Sequence, residues 1–122
     1  MNGAMVLVVD DSVTMRMMMR DLLTEAGFTV DVSQDGEEAL QKTSHVHFDF
    51  IFTDQNMPKL DGLNFIKSLR AMPEYRETPV VMLTTEASQE MREKGRAAGA
   101  NGWMVKPFDP SKVIMVCNSL LN

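Results

Sequence analysis

Five short apolar segments alternate with longer segments of helical period, and this alternation restricts the fold more than any other feature of the sequence. The apolar segments, each ending in a polar residue, are MVLVVD, FTVDVS, FDFIFTD, PVVMLTT and GWMVK, at residues 5–10, 28–33, 48–54, 79–85 and 102–106. Strands separated by helices pair in parallel through right-handed crossovers. The sequence therefore predicts an α/β protein of five βα units built around a parallel sheet.

The segments between the strands begin and end with residues that are typical of helix termini. The predicted starts are Ser12, the pair Asp35 and Glu38, Asp61 before Gly62, and Asp109 before Pro110. Gly27 and Gly99 are predicted to end two of the helices.

The first helix has one apolar face, formed at helical spacing by Met15, Met18, Met19, Leu22, Leu23 and Ala26. The chain has 12 methionines, which could indicate a copper site or an adaptable binding groove. Because those of the first helix alternate with leucine at core spacing, we interpret them as packing residues. The single Cys117 lies in the apolar stretch VIMVCNSLL, where we expect a small buried side chain.

Length and charge exclude several classes of protein. The chain has 122 residues with 44% hydrophobic content, so we expect one domain spanning residues 1–122 with a real core. The net charge is -5 and there is no run rich in lysine and arginine, which argues against a nucleic-acid partner. The longest apolar run, MVLVV, is far shorter than the roughly 20 residues of a membrane span. We expect a cytoplasmic protein that does not insert into a membrane.

Polar residues follow four of the predicted strands. Asp10 and Asp11 end the first strand, Asp54 the third, Thr84 the fourth and Lys106 the fifth. In a parallel sheet these ends lie at one edge, where ligands bind. Singly, Asp11 could cap a helix, Asp54 could start a turn and Lys106 could be a solvated loop lysine.

As a group, the three carboxylates need compensation, because like charges about 4 Å apart repel by about 4 kcal/mol at an effective dielectric of about 20. A hard divalent cation with oxygen ligands fits best, and Mg²⁺ is the usual ion for such a set. Asp54 beside this ion would be a competent nucleophile toward phosphorus. Lys106 and the Thr84 hydroxyl would then bind phosphoryl oxygens.

Four motifs, VVDDS, TDQNMPKLDG, MLTTEA and NGWMVKPF, together resemble the receiver domain of two-component response regulators. Within that family, the sequence is most similar to stand-alone CheY-like chemotaxis regulators. The resemblance implies a flavodoxin-like fold: a five-stranded parallel sheet of order 2-1-3-4-5 with helices on both faces. It also implies a cis bond between Lys106 and Pro107.

The same resemblance implies a role for each matching residue. Asp54 is the phosphoacceptor, and Mg²⁺ is held by Asp10, Asp11, Asp54 and the Asn56 carbonyl, directly or through water. Thr84 and Lys106 hold the phosphoryl group. The two variable positions that help orient the attacking water are Asn56 and Glu86. Trp103 stands where a switching aromatic turns inward when Thr84 moves.

These roles together predict a phosphorylation switch in chemotaxis that catalyses only its own phosphorylation and dephosphorylation. The phosphodonor is a histidine kinase, and a downstream protein binds the face formed by the fourth helix, fifth strand and fifth helix. One alternative is a phosphatase of the haloacid-dehalogenase type, although that chemistry needs a second acidic residue where Asn56 stands. Others are a receiver in a non-motility phosphorelay and, less favoured, a degenerate receiver that serves only as an interaction module.

Several positions differ from the nearest CheY-like relatives. Gln55 replaces a tryptophan that often follows the phosphoacceptor, and Thr85 replaces a smaller residue. The fourth helix presents Gln89, Arg92 and Arg96, which argues against binding to the flagellar motor. The basic residues Arg92, Lys94 and Arg96 form either a solvated helix face or a charged docking surface. His45 and His47 could bind a metal ion, but we interpret them as surface histidines.

Overall fold

The computed structural model describes residues 3–86 and 88–121, which form alternating strands and helices. The strands are β1 (Met5–Val9), β2 (Thr29–Ser33), β3 (Phe50–Asp54), β4 (Val80–Thr84) and β5 (Gly102–Val105). The α-helices are α1 (Val13–Glu25), α2 (Gly36–Thr43), α3 (Gly62–Arg70), α4 (Gln89–Ala98) and α5 (Pro110–Leu121), and a 3-10 helix spans Pro73–Tyr75. The predicted series of five βα units is confirmed.

The five strands form one parallel sheet of order β2-β1-β3-β4-β5, as the family resemblance implies. Successive strand residues point to opposite faces, so the sheet divides the core into two clusters. Val6 and Val8 face α1 and α5, whereas Leu7 and Val9 face α2, α3 and α4. Every residue of β3 and β4 is buried, which explains why those segments lack polar alternation.

The predicted helix starts are confirmed by capping bonds from four side chains. The acceptors are Ser12 Oγ for Met15 N at 3.2 Å, Asp35 Oδ1 for Glu38 N at 2.8 Å, Asp61 Oδ1 for Asn64 N at 2.9 Å, and Asp109 Oδ1 for Ser111 N at 3.0 Å. The Glu38 carboxylate faces Lys42 at 3.7 Å, one turn along α2. Gly27 and Gly99 follow α1 and α4 with φ of 100° and 116°, a left-handed conformation that favours glycine.

Cys117 and three of the four methionines of α1 pack in or against the core, whereas Met17 is 53% exposed. Met19 is fully buried, and Met15 and Met18 pack partly buried against the same cluster. Cys117 is fully buried in α5, and burial raises the pKa of its thiol to about 12. None of the helices in the described ranges has the length and apolar character of a membrane span.

Candidate functional site

Three carboxylates meet at the carboxyl edge of the sheet. Asp54 is the last residue of β3, and Asp10 and Asp11 directly follow β1. One oxygen from each lies within 4.8 Å of the others, and among residues 3–86 and 88–121 this is the single such group of metal-ligating side chains. Asp10 is fully buried and Asp54 is 7% exposed, whereas Asp11 is exposed to solvent. The structure therefore brings together the three carboxylates that the sequence placed at one edge.

Lys106 follows β5 and supplies the cation of the cluster. Its Nζ lies 2.7 Å from Asp10 Oδ2 and 3.4 Å from Asp54 Oδ1. Burial by itself would lower the pKa of Lys106, but the hydrogen bond and charge of Asp10, together with the charge of Asp54, outweigh burial and raise the pKa. The peptide bond from Lys106 to Pro107 is cis, as the family resemblance implies.

The surroundings of Asp54 disfavour its ionised form. Burial and the nearby charge of Asp10 raise the pKa of Asp54 from 3.8 to about 6, against the opposing effects of Lys106 and of the Gln55 N–H. The Gln55 backbone N–H donates to Asp54 Oδ1 at 2.9 Å. Lys106 and the Gln55 N–H favour the ionised form at Oδ1, but burial and the charge of Asp10 outweigh them.

The set of donors fits a hard divalent cation. Three carboxylates beside one lysine leave an excess of negative charge, and carboxylate oxygens are the ligands that Mg²⁺ prefers. A bound dication would also favour the ionised form of Asp54. Asn56 is exposed at the start of the loop that leaves β3, two residues after Asp54.

Two contacts that the sequence did not reveal hold Asp10 in place. The Ser12 backbone N–H donates to Asp10 Oδ1 at 2.9 Å, and Arg16 Nη1 donates to the Asp10 carbonyl oxygen at 2.6 Å. Arg16 lies on the first turn of α1, which is the helix that follows β1. That placement was the only feature of the sequence that could have indicated this contact.

Thr84 ends β4 beside Lys106, as predicted. Its side chain is buried, its Oγ1 accepts from the Glu86 backbone N–H at 3.0 Å, and its carbonyl accepts from Lys106 N at 2.8 Å. Glu86 is exposed, and its Oε2 accepts from Ser88 Oγ at 2.7 Å. Glu86 and Asn56 thus lie at the exposed rim of the site, in the loops that follow β4 and β3.

Trp103 lies on β5 and is partly buried, not enclosed in the core. A cavity of about 10 Å³, roughly the space of one water molecule, lies between Thr84 and the Trp103 ring, with Met82, Glu86, Met91 and Arg92 also lining it. The space next to Trp103 is therefore bounded by Thr84, the residue whose movement the family resemblance links to this ring.

The three basic residues of α4 differ in their surroundings. Lys94 and Arg96 are exposed, and Lys94 pairs with Glu90 at 3.0 Å, as a solvated helix face predicts. Arg92 is half-buried, with its guanidinium carbon 4.8 Å from the centre of the Trp103 ring. Arg92 and Trp103 also line a groove of about 540 Å³ between α4, β5 and α5. The sequence pattern groups Arg92 with its exposed neighbours on α4 and does not indicate its contact with Trp103.

The histidine pair lies at the opposite, amino-terminal edge of the sheet. His45 and His47 are both exposed, which agrees with their interpretation as surface residues. His45 Nδ1 is 2.8 Å from the Gln41 carbonyl oxygen, and the His47 ring stacks on Tyr75 with 5.0 Å between centroids.

Comparison with known proteins agrees with this geometry. The family model of the response regulator receiver domain matches residues 6–118. The chain belongs to that family. It is 41% identical over 104 residues to the chemotaxis protein CheY-3 of Vibrio cholerae, an alignment that covers 84% of this chain and 80% of the relative.

Solved structures of receiver domains have the same fold. Chemotaxis protein CheY4 of Vibrio cholerae is similar with a TM-score of 0.94 and 43% identity, over 97% of this chain and 98% of that one. The receiver domain of the sensor histidine kinase PA1611 from Pseudomonas aeruginosa PAO1, solved with a magnesium ion coordinated in its active site cleft, gives 0.90 and 28%, over 98% of both chains. The resemblance inferred from the four motifs is therefore confirmed.

Membership in this family defines the class of function. CheY-like receiver domains act mainly as signalling switches and not as metabolic enzymes, so the chain is of the phosphorylation-activated response regulator type. The haloacid-dehalogenase alternative gains no support from the family match or from the similar structures.

Proposed function

We propose that this receiver domain is a chemotaxis switch that accepts a phosphoryl group from a histidine kinase on Asp54, with Mg²⁺ bound at the acidic cluster. The observation on which the proposal rests is the position of Asp54. Its carboxylate ends β3, faces Lys106 Nζ at 3.4 Å and lies in the one cluster of three carboxylates in the described residues. Burial and the charge of Asp10 also raise the pKa of Asp54 to about 6.

The phosphoryl transfer uses the Asp54 oxygen that is not already engaged. Oδ1 accepts from Gln55 N and faces Lys106, so we assign the attack on phosphorus to Oδ2. A new O–P bond forms to Asp54, and the P–N bond of the donor phosphohistidine breaks. The electron pair of that bond returns to the imidazole nitrogen, which can then take up a proton. Mg²⁺, held by Asp10, Asp11, Asp54 and the Asn56 carbonyl, would neutralise charge on the transferring group.

Lys106 and Thr84 hold the phosphoryl group after transfer. Lys106 is already poised between Asp10 and Asp54, and the added charge of about -1.5 to -2 would draw it and the Thr84 hydroxyl toward Asp54. Thr84 would then give up its bond to the Glu86 N–H and enlarge the cavity beside Trp103. Asn56 and Glu86, at the exposed rim, orient the water that later hydrolyses the acyl phosphate.

The output is a change in the surface formed by α4, β5 and α5. Trp103 borders both the small cavity behind Thr84 and the outer groove, so inward movement of its ring would reshape that groove. A downstream protein would recognise the altered surface. The similarity to chemotaxis proteins supports a role in chemotaxis, while Arg92 and its neighbours on α4 favour a partner other than the flagellar motor.

The proposal is tested by labelling with radioactive acetyl phosphate in the presence and absence of Mg²⁺. The wild-type protein should acquire label only with Mg²⁺, and Asp54→Asn should acquire none. Asp21→Asn, which removes an exposed carboxylate of α1, is the matched control and should label like the wild type. Persistent labelling of Asp54→Asn would exclude Asp54 as the phosphoacceptor.

A further inference from the structure

Gln55 connects the site to the start of α3 through three polar groups, namely its N–H, its carbonyl and its side-chain oxygen. Its N–H donates to Asp54 Oδ1 at 2.9 Å, and also to the Leu83 carbonyl at 3.2 Å. Its carbonyl accepts from Gly62 N at 3.0 Å, and its side-chain Oε1 accepts from Leu63 N at 2.9 Å. The residue is only 7% exposed, so these bonds form away from solvent.

The first three N–H groups of α3 are therefore satisfied by two different residues. Helix-terminal N–H groups have no partner within the helix and need one from outside. Asp61, the N-cap, accepts from Asn64 N, while Gln55 accepts from Gly62 N and Leu63 N. Gln55 is thus a second capping residue, which reaches the helix from the end of β3.

Both bonds from Gln55 to α3 close the same loop, residues 56–61. The loop begins at Asn56, whose carbonyl is assigned to Mg²⁺ in the proposed function, and it ends where α3 starts. Fixing the two ends of a six-residue loop limits the positions open to the Asn56 carbonyl. An apolar side chain at position 55 would leave the Leu63 N–H without its acceptor in a part-buried location.

We infer that Gln55 is a positioning residue for the metal site: its side-chain bond to Leu63 N sets the loop that presents the Asn56 carbonyl beside Asp54. The inference rests on the proposed function of the site, and it adds a role for a residue to which that function assigns no contact with the metal or the phosphoryl group. Residues that orient metal ligands typically change metal affinity about 10- to 100-fold when they are replaced.

Mg²⁺ binding by calorimetry tests this role through three variants. Gln55→Met keeps the length of the side chain but removes the acceptor, and should weaken Mg²⁺ binding about tenfold. Gln55→Glu keeps an acceptor oxygen and should bind Mg²⁺ at least as tightly as the wild type. Leu63→Ala trims the packing of α3 at the residue that donates the bond but keeps its N–H, and should leave Mg²⁺ affinity unchanged.

Amide hydrogen exchange gives a second measurement that does not depend on activity. Exchange of the Leu63 N–H should be faster in Gln55→Met than in the wild type, and slow in Gln55→Glu. At saturating Mg²⁺ the labelling rate of Gln55→Met should return to near the wild-type value, because the phosphoacceptor is intact. This pattern separates a positioning residue from one that acts on the phosphoryl group.

The inference is overturned if Gln55→Met binds Mg²⁺ like the wild type, or if Leu63→Ala loses as much affinity. It is also overturned if Gln55→Glu is as weak as Gln55→Met, since the acceptor would then be irrelevant. Failure of the proposed function has a different signature, namely a wild-type protein that acetyl phosphate does not label. The Mg²⁺ titrations would still decide the role of Gln55 in that case.

Discussion

The guanidinium group of Arg92 lies over the ring of Trp103, with 4.8 Å between Cζ and the ring centre. A cation above an aromatic face is attracted to its electrons, and at a partly exposed position the contact contributes about 0.5–1 kcal/mol. Arg92 comes from α4 and Trp103 from β5, so the pair joins two of the three elements of the proposed output surface. The same two residues border the cavity behind Thr84. Arg92 therefore stabilises the position that the Trp103 ring has in this structure.

Removing this contact should make the Trp103 ring more accessible before any phosphorylation. We expect Arg92→Ala to increase acrylamide quenching of Trp103 fluorescence and to shift its emission, since the guanidinium no longer covers the ring. Arg96→Ala, an exposed position on the same helix, is the control and should leave both properties unchanged. Equal quenching in wild type and Arg92→Ala would show that the contact does not hold the ring.

The Thr84 hydroxyl should be required for Trp103 to report phosphorylation. In the wild type, Mg²⁺ alone should change Trp103 fluorescence little, because the side chain next to the phosphoacceptor is Gln55 and Trp103 lies outside the cluster. Beryllofluoride, which mimics the phosphoryl group, should change it clearly. Thr84→Ala should bind beryllofluoride without that change. It lacks the hydroxyl that would give up its bond to the Glu86 N–H and move toward the phosphoryl group. A change with Mg²⁺ alone, or equal changes in both proteins, would contradict the relay.

The raised pKa of Asp54 predicts how stability depends on pH without metal. Between 3.8, its ordinary value, and about 6, the folded protein keeps a proton that the unfolded chain has lost. Asp54 therefore lowers the free energy of unfolding as pH rises through this window. Asp54→Asn lacks this effect. The free energy of unfolding of Asp54→Asn minus that of the wild type should therefore increase by about 2 to 3 kcal/mol as pH rises from about 4 to about 7.

This dependence is measured by urea unfolding of both proteins in a chelator at several pH values. Adding Mg²⁺ at pH 7 should reduce the difference, because the ion stabilises the ionised wild-type site. A pH-independent difference for Asp54→Asn would mean that burial and the charge of Asp10 do not destabilise the ionised Asp54 carboxylate in the folded protein.

Sequence patterns were sufficient to place the carboxylates and Lys106 at one edge. Asp54 ends an apolar run and Lys106 ends another, and the end of a strand is a local property that periodicity reveals. Parallel pairing then brings those ends together. The strand order was predicted only through the family resemblance, because periodicity does not determine which strands are neighbours.

Contacts between side chains of different elements could not be predicted in the same way. On its own helix, Arg92 resembles its exposed neighbours, and its contact depends on where β5 passes behind α4. The sequence shows only that Gln55 stands where CheY-like relatives often have a tryptophan. Its bond to Leu63 N depends on the path of the intervening loop. Both contacts arise from tertiary packing, which neither propensity nor spacing encodes.

The rim residues should control the lifetime of the phosphoryl group. Asn56 is exposed at the start of the loop after β3, beside the cluster. A long cation there would crowd the attacking water and compete with Mg²⁺, so Asn56→Lys should slow phosphate release severalfold. Lys59→Ala, at a position later in the same exposed loop, should have no comparable effect. Unchanged decay of Asn56→Lys, with phosphorylated protein still accumulating, would refute the role of Asn56.

Gly62 should be far less tolerant of substitution than Gly102, although both begin an element. A Cβ at Gly62 would overlap the Asp54 carbonyl oxygen and lie 3.0 Å from Gln55 Cα, both backbone atoms. A Cβ at Gly102 would have no heavy atom within 4 Å. Because backbone cannot move aside as a flexible side chain can, Gly62→Ala should lose about 1–3 kcal/mol of stability, and Gly102→Ala should stay within about 0.5 kcal/mol.

The consequence of Gly62→Ala should extend to the metal site. Relief of the overlap requires the start of α3 to move away from Asp54 and Gln55, which lengthens the bond from Gly62 N to the Gln55 carbonyl. We therefore expect Gly62→Ala, but not Gly102→Ala, to weaken Mg²⁺ binding in calorimetry even at temperatures where the variant is fully folded by circular dichroism. Wild-type Mg²⁺ affinity in a folded but destabilised Gly62→Ala would show that the close approach of α3 to β3 serves stability alone.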